Sequence, residues 1–253
     1  MSTNKIALVT GGSRGLGKNS ALKLAEAGHD LVITYRTKEA EAHDVVAQIE
    51  ALGRKAVALQ LDTSKVATFP AFVETVTQHL QQTWSRTTFD YLVNNAGIDS
   101  SALFPETTEE AFDNLMNVHF KGVYFLTQAL LPLLADGGGI VNFSTGLARF
   151  TTPGYSAYAS MKGAVEVLTK YMAKELGSRG IRANVVAPGI IKTDFTVAAR
   201  EAHPELEQYM SSQTALGRIG EPEDIGSVVA FLCSDAARWV NAQRIEASGG
   251  YSL

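Results

Sequence analysis

The sequence predicts an α/β fold in which a parallel, doubly wound, seven-stranded sheet carries helices on both faces. Short β-branched runs alternate with longer stretches of helical period, and the first run leads through a glycine-rich turn into a helix. No Pro/Ser-rich linker or low-complexity tract breaks that rhythm, so the 253 residues read as one domain, 1–253.

Strands are expected at 6–10, 31–35, 56–61, 91–94, 140–144, 182–187 and 244–247, with helical period at 20–27, 40–52, 68–81, 109–134, 157–176 and 222–234. The first strand, Ile6-Ala7-Leu8-Val9-Thr10, runs into Gly11-Gly12-Ser13-Arg14-Gly15-Leu16-Gly17, and Lys18, Leu22 and Leu24 open the helix. Glycine lets the backbone reach positive φ and approach a pyrophosphate, while the helix N-terminus offers unpaired N–H groups. The turn therefore predicts a dinucleotide site.

The second strand ends Thr34-Tyr35-Arg36-Thr37, where a carboxylate for a ribose 2′-hydroxyl would stand in an NAD site. Arg36 stands there instead. With Arg14 in the glycine turn, it suits a 2′-phosphate and predicts NADP(H) as the cofactor. The segment 190–216, after the sixth strand, is long and contains no strand pattern; loops at strand ends carry the site in such sheets, so it is the candidate substrate lid.

Of the eight tyrosines, only Tyr158 has a lysine four residues on, Lys162, and both open a long amphipathic helix where such positions share a face. A nearby ammonium favours the phenolate, so Lys162 is expected to lower the Tyr158 pKa and make it a usable acid and base. The same helix continues with more apolar positions than one core-facing stripe demands, Val165, Val167, Leu168, Tyr171, Met172 and Leu176, and a second subunit is one way to cover them.

Composition narrows the function classes. Hydrophobic residues make up 45% and charged residues 19%, the balance of a folded globular chain. With a net charge of −4 and scattered Lys and Arg, no nucleic acid or anionic membrane partner is expected, and a small molecule is. Cys233 stands alone, excluding an intramolecular disulfide, and His29, His43, His79, His119 and His203 lack ligand spacing, so no metal is expected. The opening apolar run, 6–9, is too short for a signal-peptide core, so a cytoplasmic location is expected.

Taken in order, the glycine turn, Asn94-Asn95-Ala96-Gly97, Tyr158-x-x-x-Lys162 and Pro188-Gly189 resemble the single-domain branch of the short-chain dehydrogenase/reductase family, in particular its 3-oxoacyl-[acyl-carrier-protein] reductases. The resemblance covers nearly the whole chain and implies a Rossmann fold and hydride transfer between NADP(H) and a carbonyl or secondary alcohol. It assigns cofactor binding to Gly11, Ser13, Arg14, Gly15, Leu16, Gly17, Tyr35, Arg36, Thr37, Asp62, Thr63, Asn95, Ala96, Gly97, Tyr158, Lys162, Pro188, Gly189, Ile191 and Thr193. It also implies a homotetramer or homodimer.

Two positions depart from the family pattern. Thirteen residues before Tyr158 stands Thr145, not serine; it keeps the hydroxyl and adds a methyl, while strand alternation disfavours its neighbour Ser144. His119 replaces an asparagine whose main-chain carbonyl is held to bind a water linked to the lysine, so it joins the catalytic candidates with Tyr158, Lys162 and Thr145. Thr145, Tyr155 and Tyr158 are the substrate candidates, with Phe150 and 190–216 shaping the pocket. A ketone or oxoacyl reductase is the leading expectation. An NAD-dependent sugar or alcohol dehydrogenase and a non-catalytic NADP(H)-sensing protein are the alternatives.

Overall fold

The computed structural model describes residues 4–193 and 204–253. Seven strands, β1 Ile6–Val9, β2 Asp30–Tyr35, β3 Ala56–Gln60, β4 Phe89–Asn94, β5 Leu134–Phe143, β6 Arg182–Pro188 and β7 Arg244–Ala247, form one sheet in the order β3-β2-β1-β4-β5-β6-β7. Every pairing is parallel, as expected. Strands β1, β2, β4 and β6 are buried at every residue, which is why they read as continuous apolar runs rather than as alternation.

Period 2 still sorts their side chains. Ala7 and Val9 of β1 join one apolar layer with α1 (Gly15–Glu26), α2 (Glu39–Ala51) and a helix at Pro222–Leu232. Ile6 and Leu8 join the other, with α3 (Phe69–Trp84), α5 (Gly122–Leu130) and α6 (Ser156–Glu175). Burial on both faces fixes the register, because a one-residue slip would exchange the two layers. The strand order reverses between β1 and β4, opening a crevice at their carboxyl ends.

Several boundaries differ from the sequence expectation. The helix expected at 109–134 is α4 (Glu109–Met116), a π-helical turn at Asn117–Lys121, α5, and a 3₁₀ turn at Leu131–Leu133 around Pro132; Leu134 already belongs to β5. Between Leu134 and Gly139 the β4–β5 register shifts, and this glycine-containing irregularity masks the start of β5 in the sequence pattern. Strand β4 starts at Phe89, earlier than expected, because Asp90 is only 3% exposed, accepting the Ile6 N–H and an Arg86 N–H at 2.8 Å each. Within 190–216 the structure adds a helix, α7 (Pro204–Ser212), and residues 194–203 lie outside the described residues. The helix Pro222–Leu232 is α8. No helix among the described residues is long and apolar enough to cross a membrane.

Candidate active site

The glycine turn is built as a cradle. Gly11 N–H donates to Thr34 Oγ1 at 3.2 Å and Gly12 N–H to the Thr34 carbonyl at 2.8 Å, pressing the turn onto the end of β2. Gly15 has φ +55° and faces open space, whereas a Cβ on Gly17 would lie 2.1 Å from the Gly11 carbonyl oxygen. The turn can therefore be neither enlarged nor straightened. Helix α1 starts at Gly15 with no side-chain cap and no acid in its first turn, which leaves its positive end for an anion. These features fit a dinucleotide pyrophosphate.

Asn95 locks the opposite wall. Its Nδ2 donates to the Thr10 carbonyl at 2.9 Å and the Gly11 carbonyl at 3.2 Å, and Thr10 Oγ1 accepts the N–H groups of Asn95 and Ala96 at 3.0 Å each. Arg14, Arg36 and Thr37 are exposed around the cradle. Asp62 Oδ1 accepts from Ser64 N–H and Oγ at 3.0 and 2.7 Å. Burial works against its charge, but these bonds and the Lys65 and Arg36 charges hold its carboxyl below the usual range. The Thr63 carbonyl packs where a Cβ of Gly122 would fall. Tyr35 is 8% exposed and packs in the layer with α1 and α2. Pro188 ends β6, Gly189 N–H donates to the Ala247 carbonyl, and Ile191 pairs with Gly220; Thr193 follows two residues on.

The catalytic candidates converge on α6. Lys162 Nζ donates to the Phe143 carbonyl at 2.9 Å and lies 5.8 Å from the Tyr158 ring centroid. The Thr145 side chain works to lower the pKa of the Tyr158 phenol, and its hydroxyl accepts Leu147 N–H at 3.3 Å. Ser144 Oγ instead donates to Glu166 Oε1 at 2.6 Å, turned away from the phenol. Of the two hydroxyl-bearing residues, it is Thr145 whose side chain acts on the Tyr158 phenol. Tyr155 lies beside Tyr158, with ring centroids 6.5 Å apart.

The pKa shifts differ from the expectation. Burial and the nearby Asp99 carboxylate push Tyr158 up and the Thr145 side chain works downward, while the Lys162 ammonium is engaged by the Phe143 carbonyl. Burial lowers Lys162 to about 8. Both groups are thus driven toward neutrality.

His119 lies in the π turn, 1% exposed, its ring edge-on to Tyr158 at 5.1 Å. Its Nε2 lies 2.9 Å from the Ile98 carbonyl and 3.3 Å from the Ile98 nitrogen; the shorter contact selects Nε2–H as donor, leaving Nδ1 a bare acceptor without a partner. Burial, followed by the Lys162 charge, lowers its pKa to about 3, so it is neutral and no acid.

The sequence reading missed Asp99, which acts on both Tyr155 and Tyr158 and whose own carboxyl burial pushes up. It also missed Glu166, although its place one turn beyond Lys162 on α6 is visible in the helical spacing. Among the described residues no His/Cys/Asp/Glu group is gathered to hold a metal.

Residues 11–252 match the family described as enoyl-(acyl carrier protein) reductase. A 3-oxoacyl-[acyl-carrier-protein] reductase of Staphylococcus aureus is 37% identical over 252 residues, 99% of both chains. The solved structure of the promiscuous reductase LugOII, which catalyses keto-reduction at C1 during lugdunomycin biosynthesis, superposes with TM-score 0.93 at 38% identity over 99% of both chains. Angucycline C-6 ketoreductase LanV with bound NADP gives TM-score 0.93 at 37% identity, over 98% of this chain and 96% of that one.

Proposed function

The chain belongs to the short-chain dehydrogenase/reductase family, and we propose that it reduces a ketone or oxoacyl carbonyl to the secondary alcohol. The observation that carries this reading is the buried Tyr158 phenol with Lys162 Nζ 5.8 Å from its ring centroid and the Thr145 side chain acting on it, beside the open glycine cradle. Bound there, NADPH supplies the hydride. Gly11, Ser13, Gly15, Leu16 and Gly17 would hold the pyrophosphate, and Arg14 and Arg36 the 2′-phosphate. Asp62 and Thr63 would hold the adenine half, and Asn95–Gly97, with Pro188, Gly189, Ile191 and Thr193, the nicotinamide half.

Thr145 donates to the substrate oxygen, since Leu147 N–H occupies one of its own lone pairs and its hydrogen remains available. Tyr158 gives its phenolic proton to that oxygen as the carbon receives the hydride. The phenolate left behind is stabilised by the Lys162 ammonium. Raised pKa suits this direction, because the phenol keeps its proton until the carbonyl arrives. Neutral His119 braces the Tyr158 ring and offers Nδ1 as an acceptor near Lys162. Tyr155 and Phe150 line the substrate side.

A homotetramer or homodimer fits the exposed apolar face of α6, where Val167 and Tyr171 are 54% and 62% exposed. Tyr124 and Phe125 of α5 extend the patch, at 42% and 38% exposed. The deciding assay follows nicotinamide absorbance over ketones and oxoacyl thioesters with NADPH and NADH in parallel. Tyr158→Phe abolishes turnover and keeps cofactor binding; substantial residual turnover overturns the assignment.

A further inference from the structure

Behind Thr145 runs a chain of charged groups that the chemistry above does not use. Glu166 Oε1 accepts Ser144 Oγ–H at 2.6 Å and Arg244 Nε–H at 2.7 Å. From the same guanidinium, Nη2 donates to the Thr145 carbonyl at 3.0 Å and Nη1 to Glu246 Oε2 at 2.9 Å. Arg149 grips Glu246 from the other side through two N–H groups at 2.8 Å each. The Arg244, Glu166 and Glu246 side chains are 22%, 19% and 21% exposed, so the network is largely withdrawn from water.

Each bond fixes a different element. Glu166 lies on α6 one turn beyond Lys162 and two beyond Tyr158, so a carboxylate held there shares the rigid body that carries both. Arg244 lies on β7, and the Thr145 carbonyl lies on the segment that leaves β5 in extended conformation, with φ −156° and ψ 155°. A guanidinium is a planar fork whose N–H directions are fixed relative to one another. Once Nε is seated on Glu166, Nη2 can point along one direction only, and Thr145 lies on it. The fork thereby sets where the Thr145 backbone sits relative to the helix bearing Tyr158. Stability alone accounts poorly for this arrangement, because withdrawing paired charges from water costs about as much as their attraction returns.

We propose that Glu166 and Arg244 are positioning residues: their ion pair fixes the Thr145 backbone against α6 so that the Thr145 hydroxyl meets both Tyr158 and the substrate oxygen. The inference rests on the reading that Thr145 supplies that hydroxyl. Neither Glu166 nor Arg244 touches substrate or cofactor; they act through Thr145.

A double-mutant cycle on kcat separates this from a merely structural role. Arg244→Lys keeps the charge for Glu166 and loses the fork. In the otherwise unaltered chain it lowers kcat about 10- to 100-fold, the scale of a mispositioned catalytic group, with the NADPH Kd within about twofold. On a Thr145→Ala background the same substitution costs less than about twofold, because the group it positions is gone. Unchanged kcat in the single variant, or the full loss retained on Thr145→Ala, overturns the proposal. If Arg244→Lys does not fold, Glu166→Gln takes its place in the cycle with the same two criteria. Wild-type kcat in Thr145→Ala by itself would overturn the assignment of the hydroxyl and this inference with it. Additivity with an inactive Thr145→Ala would overturn the positioning role alone.

Discussion

The Lys162 ammonium stands 5.8 Å from the centroid of the Tyr158 ring and spends its resolved hydrogen bond, 2.9 Å long, on the Phe143 carbonyl. It is only 5% exposed, with no carboxylate among the described residues hydrogen-bonded to it, and burial brings its pKa down to about 8. The charge that must steady the departing phenolate is therefore itself close to titrating at working pH.

Carbonyl reduction should accordingly weaken in mild alkali. Protonated Lys162 is the active form, and it is lost as pH rises through about 8. Tyr158, pushed upward, keeps its proton through the same range and cannot produce that fall. Measured between pH 6 and 10, kcat/KM for the reduction is level at first and then declines about tenfold per pH unit above the lysine pKa. A rate that climbs with pH across this window would contradict the assignment.

Lys162→Met should abolish turnover and stabilise the fold. The unfolded lysine binds its proton up to the ordinary lysine value of 10.5, the folded one only up to about 8. Below about 8 both states are charged and the native state bears the full cost of the buried ammonium; between the two values stability recovers as pH rises. Methionine keeps the apolar stem and removes that cost. Urea denaturation at pH 7 should show a gain of about 1–3 kcal/mol, which shrinks as pH rises from about 8 toward 10.5. A loss at pH 7 would mean that the bond to Phe143 outweighs desolvation.

Thr145 can be separated from its methyl group. Thr145→Val removes only the hydroxyl that meets Tyr158 and should lower kcat about 100- to 1000-fold, the scale for one donor to a developing oxyanion. Thr145→Ser keeps the donor and should stay within about fivefold in kcat, with KM shifting for bulky ketones as the pocket widens. Equal losses in the two variants would mean that shape, not hydrogen bonding, is what the position supplies.

The parts of the site legible in the sequence are those that lie within one element. The glycine turn is a local solution to a strand meeting a helix, and Tyr158 and Lys162 share α6 by helical spacing alone. What the sequence does not show depends on distant segments. Arg244 and Glu166 are 78 residues apart, and only the placing of β7 beside β6 brings them together. The direction of the Lys162 ammonium depends on a main-chain carbonyl, which carries no sequence signature.

Arg36 lies at the exposed end of β2 beside Asp62, where a 2′-phosphate can be met without burying an unpaired charge. Arg36→Asp should raise the KM for NADPH about 10- to 100-fold, the worth of one charge-assisted contact, and lower that for NADH. Parallel assays with the two cofactors give the ratio directly. A ratio unmoved by the substitution would leave Arg36 a surface residue and shift the selectivity to Arg14.

His119 makes the protein acid-labile in a way that asparagine would not. Its folded pKa of about 3 lies below the ordinary histidine value of 6.5, so the unfolded state takes up a proton that the native state refuses. Stability is therefore undiminished above 6.5 and drains away as pH falls toward the folded value, by about 2–3 kcal/mol between pH 7 and pH 4.5. His119→Asn removes a group that titrates only in the unfolded chain, so the difference in stability between those two pH values should narrow by that amount. Urea titrations of both proteins at the two pH values measure it. In NMR the His119 ring of the folded protein should hold the Nε2–H tautomer throughout pH 5–8, since protonating Nδ1 would place a cation beside the Lys162 ammonium. A ring titrating near 6.5 would show that solvent reaches the π turn, and the loss of stability in acid would then vanish with it.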